Sequence, residues 1–215
     1  MIGRGSPEKR ASALQTQVAL LRMRVESAAG RPAVVVVTSA LEGDGKSLCA
    51  YTLAESLTKT GHSVALADTA SESSPNASGD TNEQRLSLVR VPDRPSPQPD
   101  DLVAFVEELR ARNDYTIVDT DPLVKTSNCG ALLRVADAIV IAVRLGRPPT
   151  DIDQFVVKTI EEAGKSILGV VAASAPAIAE FRTRRSTGKL VPAWERHNLR
   201  PESSWPGPAP AAASG

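Results

Sequence analysis

Hydrophobic positions along this chain fall into two patterns. Short, largely apolar runs occur at 33–37 "AVVVV", 63–67 "SVALA", 86–91 "LSLVRV", 115–118 "YTIV", 138–143 "AIVIAV" and 167–172 "ILGVVA". Runs of this length, rich in β-branched and small apolar residues, read as strands buried on both faces. Between most of them lie helical patterns, at roughly 46–60, 100–112, 128–136 and 151–163. Such interleaving predicts an α/β fold, a mostly parallel sheet with helices on both faces. Sheets of this kind bind ligands at the carboxyl ends of their strands.

Ahead of the first strand, Leu14, Val18, Leu21 and Val25 recur at i, i+4, i+7 and i+11, the stripe of an amphipathic helix within 1–30. That helix either covers the domain's own sheet or forms a seam with another copy, and Gly30-Arg31-Pro32 ends it. The stretch 69–84, "TASESSPNASGDTNEQ", is polar and without period, so a mobile loop is expected there. From about 183 the chain turns basic and then Pro/Ala/Ser-rich, which predicts a disordered tail. The expected organisation is one domain over 31–178, flanked by the N-terminal helix and a tail over 179–215.

Composition narrows the function. The 25 basic and 25 acidic residues cancel and the isoelectric point is about 6.8. No overall field draws the chain toward nucleic acid or anionic lipid, and no nucleic-acid partner is expected. Cys49 and Cys129 stand far apart in no metal-type spacing and read as reduced core residues. No apolar run reaches the ~20 residues of a spanning helix, and "MIGRGSPEKR" lacks the apolar stretch of a signal peptide. A cytoplasmic protein is expected, reaching the inner face of the plasma membrane only through a partner.

The chemistry begins at 38–47, "TSALEGDGKS", directly after the first strand. Gly45-Lys46-Ser47 completes G-x-x-x-x-G-K-[ST], with Ala40 standing where the first glycine is usual. A glycine-rich turn from a buried strand into a helix points backbone N–H groups inward, and the helix adds its positive N-terminal end. Gly43, Asp44, Gly45, Lys46, Ser47 and Leu48 are therefore the candidate nucleotide-binding set, for ATP. Lys46 would reach the β- and γ-phosphates, and the Ser47 hydroxyl would ligate Mg²⁺. The alternative is an ordinary loop entering a helix. Asp119 ends the strand "YTIV", where a carboxylate can hold Mg²⁺ through water; by itself, an Asp there is a cap or turn residue. Asp68 ends "VALA" in the same way and could orient a water or accept a proton, or could simply form the turn. His62 and His197 lack a partner cluster and read as surface residues. Arg182, Arg184 and Arg185 read as a solvated segment, with a phosphate or lipid contact as the alternative.

In that order, the segments "VVVVTSALEGDGKSLCAYTLAESLTKTGHSVALAD", "DYTIVDTDPL" and "ADAIVIAVRLGRPPTDIDQFVVKTIEEAGKSILGVV" resemble the bacterial tyrosine kinases (BY-kinases) of capsular and exopolysaccharide assembly. These belong to a wider group of deviant P-loop ATPases that includes chromosome-partitioning and division-site proteins. The resemblance covers about residues 12–172. It implies that Lys46 and Ser47 bind ATP-Mg, that Asp119 is the Walker B carboxylate and that Asp68 is the first Asp of the Walker A′ motif. It also implies a membrane polysaccharide chain-length co-polymerase or a related kinase subunit as partner, and homo-oligomers are possible in this family. Leu41 stands where the partitioning ATPases carry their signature lysine, which favours the kinase branch.

The chain departs from the family pattern at several places. Ala70 replaces the second Walker A′ Asp, and the loop 69–84 replaces the family's basic, proline-containing segment. Ser12, Gln15 and Val18 stand near where the family carries a Glu and two Arg for ring assembly. Ala173 stands where an adenine-contacting Asn is usual. The only tyrosines are Tyr51 and Tyr115, so the tail carries no tyrosine cluster. Three functions stay open at this point: a weak ATPase or trans-acting kinase, a non-catalytic nucleotide-binding regulator or scaffold, and a positioning-type ATPase.

Overall fold

The structure, a computed structural model, describes residues 7–69, 79–81, 86–90 and 98–186. Among the described residues, seven strands form one sheet: β1 (Ala33–Thr38), β2 (Val64–Asp68), β3 (Gly79–Thr81), β4 (Leu86–Arg90), β5 (Tyr115–Asp119), β6 (Ala138–Arg144) and β7 (Ile167–Ala173). Their spatial order is β3-β4-β2-β5-β1-β6-β7. Every pairing is parallel except that of β3 with β4. Six helices among the described residues accompany the strands: α1 (Pro7–Ala28), α2 (Lys46–Lys59), α3 (Pro99–Arg112), α4 (Ser127–Val135), α5 (Asp151–Glu162) and α6 (Ala175–Ser186). The parallel α/β architecture expected from the apolar runs is the one observed.

Both faces of the central strands are covered, which is why those strands are apolar without alternation. Val35 and Val37 of β1, with Ile117 of β5 and Val140 of β6, meet Leu14 to Val25 of α1, Leu48 to Leu57 of α2, and Ile178 and Phe181 of α6. The intervening Val34, Val36, Val118, Ile139 and Ile141 face Leu102 and Phe105 of α3, Leu132 of α4, and Val156 and Ile160 of α5. The period of two thus reappears as two cores on opposite sides of one sheet. Each fully buried Val, Leu or Ile contributes about 1.5–3 kcal/mol.

The N-terminal helix belongs to this body. Leu14, Val18, Leu21 and Val25 are all buried, so its stripe covers the chain's own sheet and packs beside α2 and β7. At the open edge of β7, the Gln17 side-chain amide accepts from the Ala172 N–H at 3.0 Å and donates to the Ala172 carbonyl at 3.3 Å. Arg24 donates to the Leu168 carbonyl at 3.1 Å. Side chains here take the place of a neighbouring strand and blunt an edge that would otherwise offer unpaired backbone groups.

Two expectations change. Most of 69–84 lies outside the described residues, but within it Gly79–Thr81 forms β3, antiparallel to β4 with Asp80 opposite Ser87. A short edge strand needs only backbone pairing, so a polar sequence can supply it. The boundary expected at 178 falls inside α6, where Ile178 and Phe181 are buried and the Phe181 ring lies 5.7 Å from that of Tyr51. The basic residues of α6 masked this apolar pair. The rest of the expected tail, beyond Ser186, lies outside the described residues.

Candidate functional site

The strand order gathers the candidate residues. Because β5 lies between β1 and β2, the carboxyl ends of all three strands are adjacent. Asp119 is the register partner of Val37 on one side and of Asp68 on the other. Asp68 and Asp119 are both buried, at 7% and 4% exposure; Asp119 ends the strand next to β1, and Asp68 the strand beyond it. The Asp119 carbonyl also accepts the Thr69 N–H and hydroxyl, both at 2.9 Å. Lys46, Ser47, Asp68 and Asp119, picked from distant parts of the sequence, share one end of the sheet.

The loop itself turns on two glycines. Gly43 and Gly45 have φ of 79° and 96°, a region that side-chain-bearing residues rarely adopt. At Gly45 the restriction is also steric: an added Cβ would lie 3.1 Å from Ala173 Cβ and 3.2 Å from Ile178 Cδ1. The end of β7 and α6 therefore press against the back of the loop. Gly45 is the N-cap of α2 and supplies no side-chain cap, and the first turn of α2 carries no acidic residue. The orphan N–H groups and partial positive charge of that helix end are left for an anion. Ala40, at the position of the first motif glycine, is buried in the core beneath the loop.

Around this cradle lie charged residues that motif reading passed over. Lys46 is nearly buried, and its ammonium lies 3.6 Å from the Glu42 carboxylate. Glu42 also accepts a hydrogen bond from Lys125 at 3.0 Å, and Lys125 lies 3.6 Å from Asp121. Burial pushes the Glu42 carboxyl up, but the Lys125 hydrogen bond and the Lys46 charge outweigh it and hold the group below the usual glutamate value. Asp44, fully buried, turns its carboxylate away from solvent onto Arg147, at 3.0 Å to Nε and 3.1 Å to Nη2. Arg147 donates as well to both carboxylate oxygens of Asp153 on α5. Asp153 in turn accepts the Thr150 N–H at 2.7 Å.

These partners stand far apart in the chain, Lys125 and Glu42 by 83 residues and Arg147 and Asp44 by 103. No local spacing announces them. One signal was available: Thr150 to Asp153, "TDID", has the spacing of a helix-start capping box. Asp121, two residues after Asp119, is also buried at this end of the sheet. Cys49, in the first turn of α2, is not a nucleophile: burial, then the charge of Asp119, pushes its thiol up to about 12.

The donor set fits a magnesium–nucleotide polyphosphate. It offers a glycine-bracketed cradle at a helix N-terminus, one ammonium, one hydroxyl at Ser47 and two carboxylates at neighbouring strand ends. Among the described residues there is no cluster of His, Cys, Asp and Glu that would hold a metal by itself. A cation here would therefore share its coordination with a ligand, as Mg²⁺ does with phosphates. No helix among the described residues is long and apolar enough to cross a membrane.

No family model matches the chain. In sequence it is similar to the tyrosine-protein kinase CpsD of Streptococcus agalactiae, 23% identical over 181 residues, covering 70% of this chain and 79% of that protein. In structure it superposes on the BceF tyrosine kinase domain with a TM-score of 0.62 and 20% identity, covering 77% of each chain. The kinase domain of the Escherichia coli tyrosine kinase ETK matches with a TM-score of 0.61 and 17% identity, over 74% of this chain and 75% of that one. With the sheet order already in place, these similarities show that the chain shares the parallel α/β fold of those kinase domains.

Proposed function

We propose that the chain binds ATP with Mg²⁺ at the loop of residues 43–48 and works as a weak ATPase or as a kinase acting on a protein in trans. The observation that carries this reading is the register of Asp68 and Asp119 on adjacent strands beside Lys46. Phosphoryl transfer asks the protein mainly for positioning and charge neutralisation. Lys46 supplies the positive charge facing the β- and γ-phosphates, after exchanging its contact with Glu42 for them. Ser47 and Asp119 would hold Mg²⁺, which supplies further neutralisation of the phosphate oxygens when bound. Asp68 orients the attacking hydroxyl or water and takes its proton. The similarity to a capsule-type tyrosine kinase supports a membrane polysaccharide co-polymerase or a related kinase subunit as partner.

A second reading is favoured by Ala70, which stands where a second Walker A′ carboxylate is usual. With one carboxylate fewer, the chain would bind nucleotide and act through contact, as a regulator or scaffold. Leu41 leaves a positioning-type ATPase the weakest of the three. Calorimetric titration of ATP and ADP with Mg²⁺, together with phosphate release on the same sample, separates these outcomes. Binding with release supports the enzyme, and binding without release supports the scaffold. Lys46→Ala should weaken ATP about 10- to 100-fold, as expected for a lost charge-assisted contact, with an unchanged fold. Unchanged affinity would reject the site.

A further inference from the structure

We propose that Arg147 is a positioning residue for the phosphate loop: by holding Asp44 turned inward, it keeps the loop's N–H groups open to a polyphosphate. The inference rests on the nucleotide-site reading above and concerns a residue outside the motif. Asp44 sits between the two positive-φ glycines, so the chain reverses on either side of it. Its side chain is 1% exposed, and that of Arg147 is 8% exposed. One planar guanidinium spans two carboxylates, gripping Asp44 through Nε and Nη2 and Asp153 through Nη1 and Nη2. The Leu41 N–H adds a weak contact to Asp44 at 3.4 Å.

Arg147 is itself delivered by a tight turn. Gly146 has φ of 83°, and the Arg147 N–H returns to the Arg144 carbonyl at 3.2 Å. The neighbouring Leu145 N–H is tied to the Ala173 carbonyl at 2.8 Å, at the strand end that backs Gly45. The arginine is thus fixed from the β6–α5 side while the loop it grips comes from β1.

Without its partner, Asp44 is a buried anion with no compensation inside a loop built to receive anions. It would turn outward into the cradle and repel phosphate. The loss of affinity should then grow with the number of phosphates, which a purely structural ion pair does not produce. Lysine cannot span both carboxylates with a planar fork, so the conservative replacement should fail.

The test measures affinity for ATP, ADP and AMP with Mg²⁺, and nucleotide-free melting, for wild type, Arg147→Gln, Arg147→Lys, Asp44→Asn and the double variant Asp44→Asn/Arg147→Gln. Arg147→Gln and Arg147→Lys should each weaken ATP and ADP by about tenfold or more and AMP by less than about twofold. The double variant should recover most of the ATP affinity, since asparagine carries no charge to turn outward. Should Arg147→Gln not fold, Asp44→Asn and the double variant carry the test, with equal ATP affinity expected. A tenfold difference between those two would overturn the proposal. Wild type and a folded Arg147→Gln binding ATP equally, with only the melting temperature lowered, would overturn the positioning role while leaving the site. Failure of wild type to bind ATP would overturn the site and the proposal together.

Discussion

At the scale of single residues, Asp68 and Asp119 show how position divides labour between identical side chains. Both end a parallel strand and both are buried, in register with each other. Asp119 also neighbours β1, whose loop leads into Lys46 and Ser47 at the start of α2, whereas Asp68 lies one strand farther out. On the function proposed above, Asp119 would be the carboxylate that shares a cation with Ser47, and Asp68 the one that meets the acceptor. Asp68→Asn keeps the volume and removes the base, so ATP affinity should hold within about twofold while turnover falls about 100-fold or more. Single-turnover kinetics would show it, and equal hydrolysis by both proteins would make Asp68 a turn residue only. The motif residues were legible because their spacing is local. Glu42, Lys125 and Arg147 were not, because each acquires its meaning from a partner that only the fold brings near.

Among the elements, α1 shows what periodicity can and cannot say. The stripe Leu14, Val18, Leu21 and Val25 predicted a packed helix but left its partner open, since an apolar face looks the same whether it meets a sheet or a second chain. Two features that carry no apolar signal settle this for α1. Gln17 pairs with the Ala172 backbone, and Gly169 of β7 leaves room for Leu21, whose Cδ1 would lie 3.3 Å from an added Cβ. Leu21→Ala should cost about 2–5 kcal/mol, read from denaturant midpoints. Gln17→Ala should cost about 1 kcal/mol and raise self-association measured by light scattering, because it uncovers part of a strand edge. A loss below about 1 kcal/mol for Leu21→Ala would mean that α1 is loosely held. The strand β3 and the apolar pair on α6 escaped the sequence reading for a related reason: polar or basic neighbours outvote two or three informative residues in a short element.

Across the whole molecule, carboxylates fasten the frame both at the far ends of the strands and next to the site. Asp114, just ahead of β5, accepts the Ser63 N–H at 2.8 Å and its hydroxyl at 3.0 Å, joining the starts of β2 and β5. The Ser63 backbone hydrogen bond is the main cause that holds Asp114 below the usual aspartate value, against a smaller effect of burial. Asp153 is lowered too, first by its hydrogen bonds from Arg147, against burial. A carboxylate lowered in the folded state contributes stability that is present above the ordinary value of about 4 and is lost as pH falls through the folded value. Melting temperature should therefore drop below about pH 4, and Asp114→Ala should lower it by about 2–4 °C at pH 7 while making that acid limb shallower. An acid limb of unchanged slope would show that Asp114 contributes nothing to it. The frame as a whole was the most legible part of the chain, since long apolar strands and regular helices repeat their signal many times.

The placement of β5 between β1 and β2 has a consequence for the order in which the chain can become competent. Lys46 opens α2 just after β1 and Asp68 ends β2, yet β1 and β2 do not touch, and β5, the strand that joins them, begins only at Tyr115. During synthesis, β5 must emerge before β1 and β2 can close into one sheet, a long-range pairing of the kind that slows folding. A fragment ending at α3 would hold the phosphate loop and one of the two site carboxylates without anything to set them side by side. On the proposed reading, nucleotide binding would be a property of the finished sheet and could not appear before it.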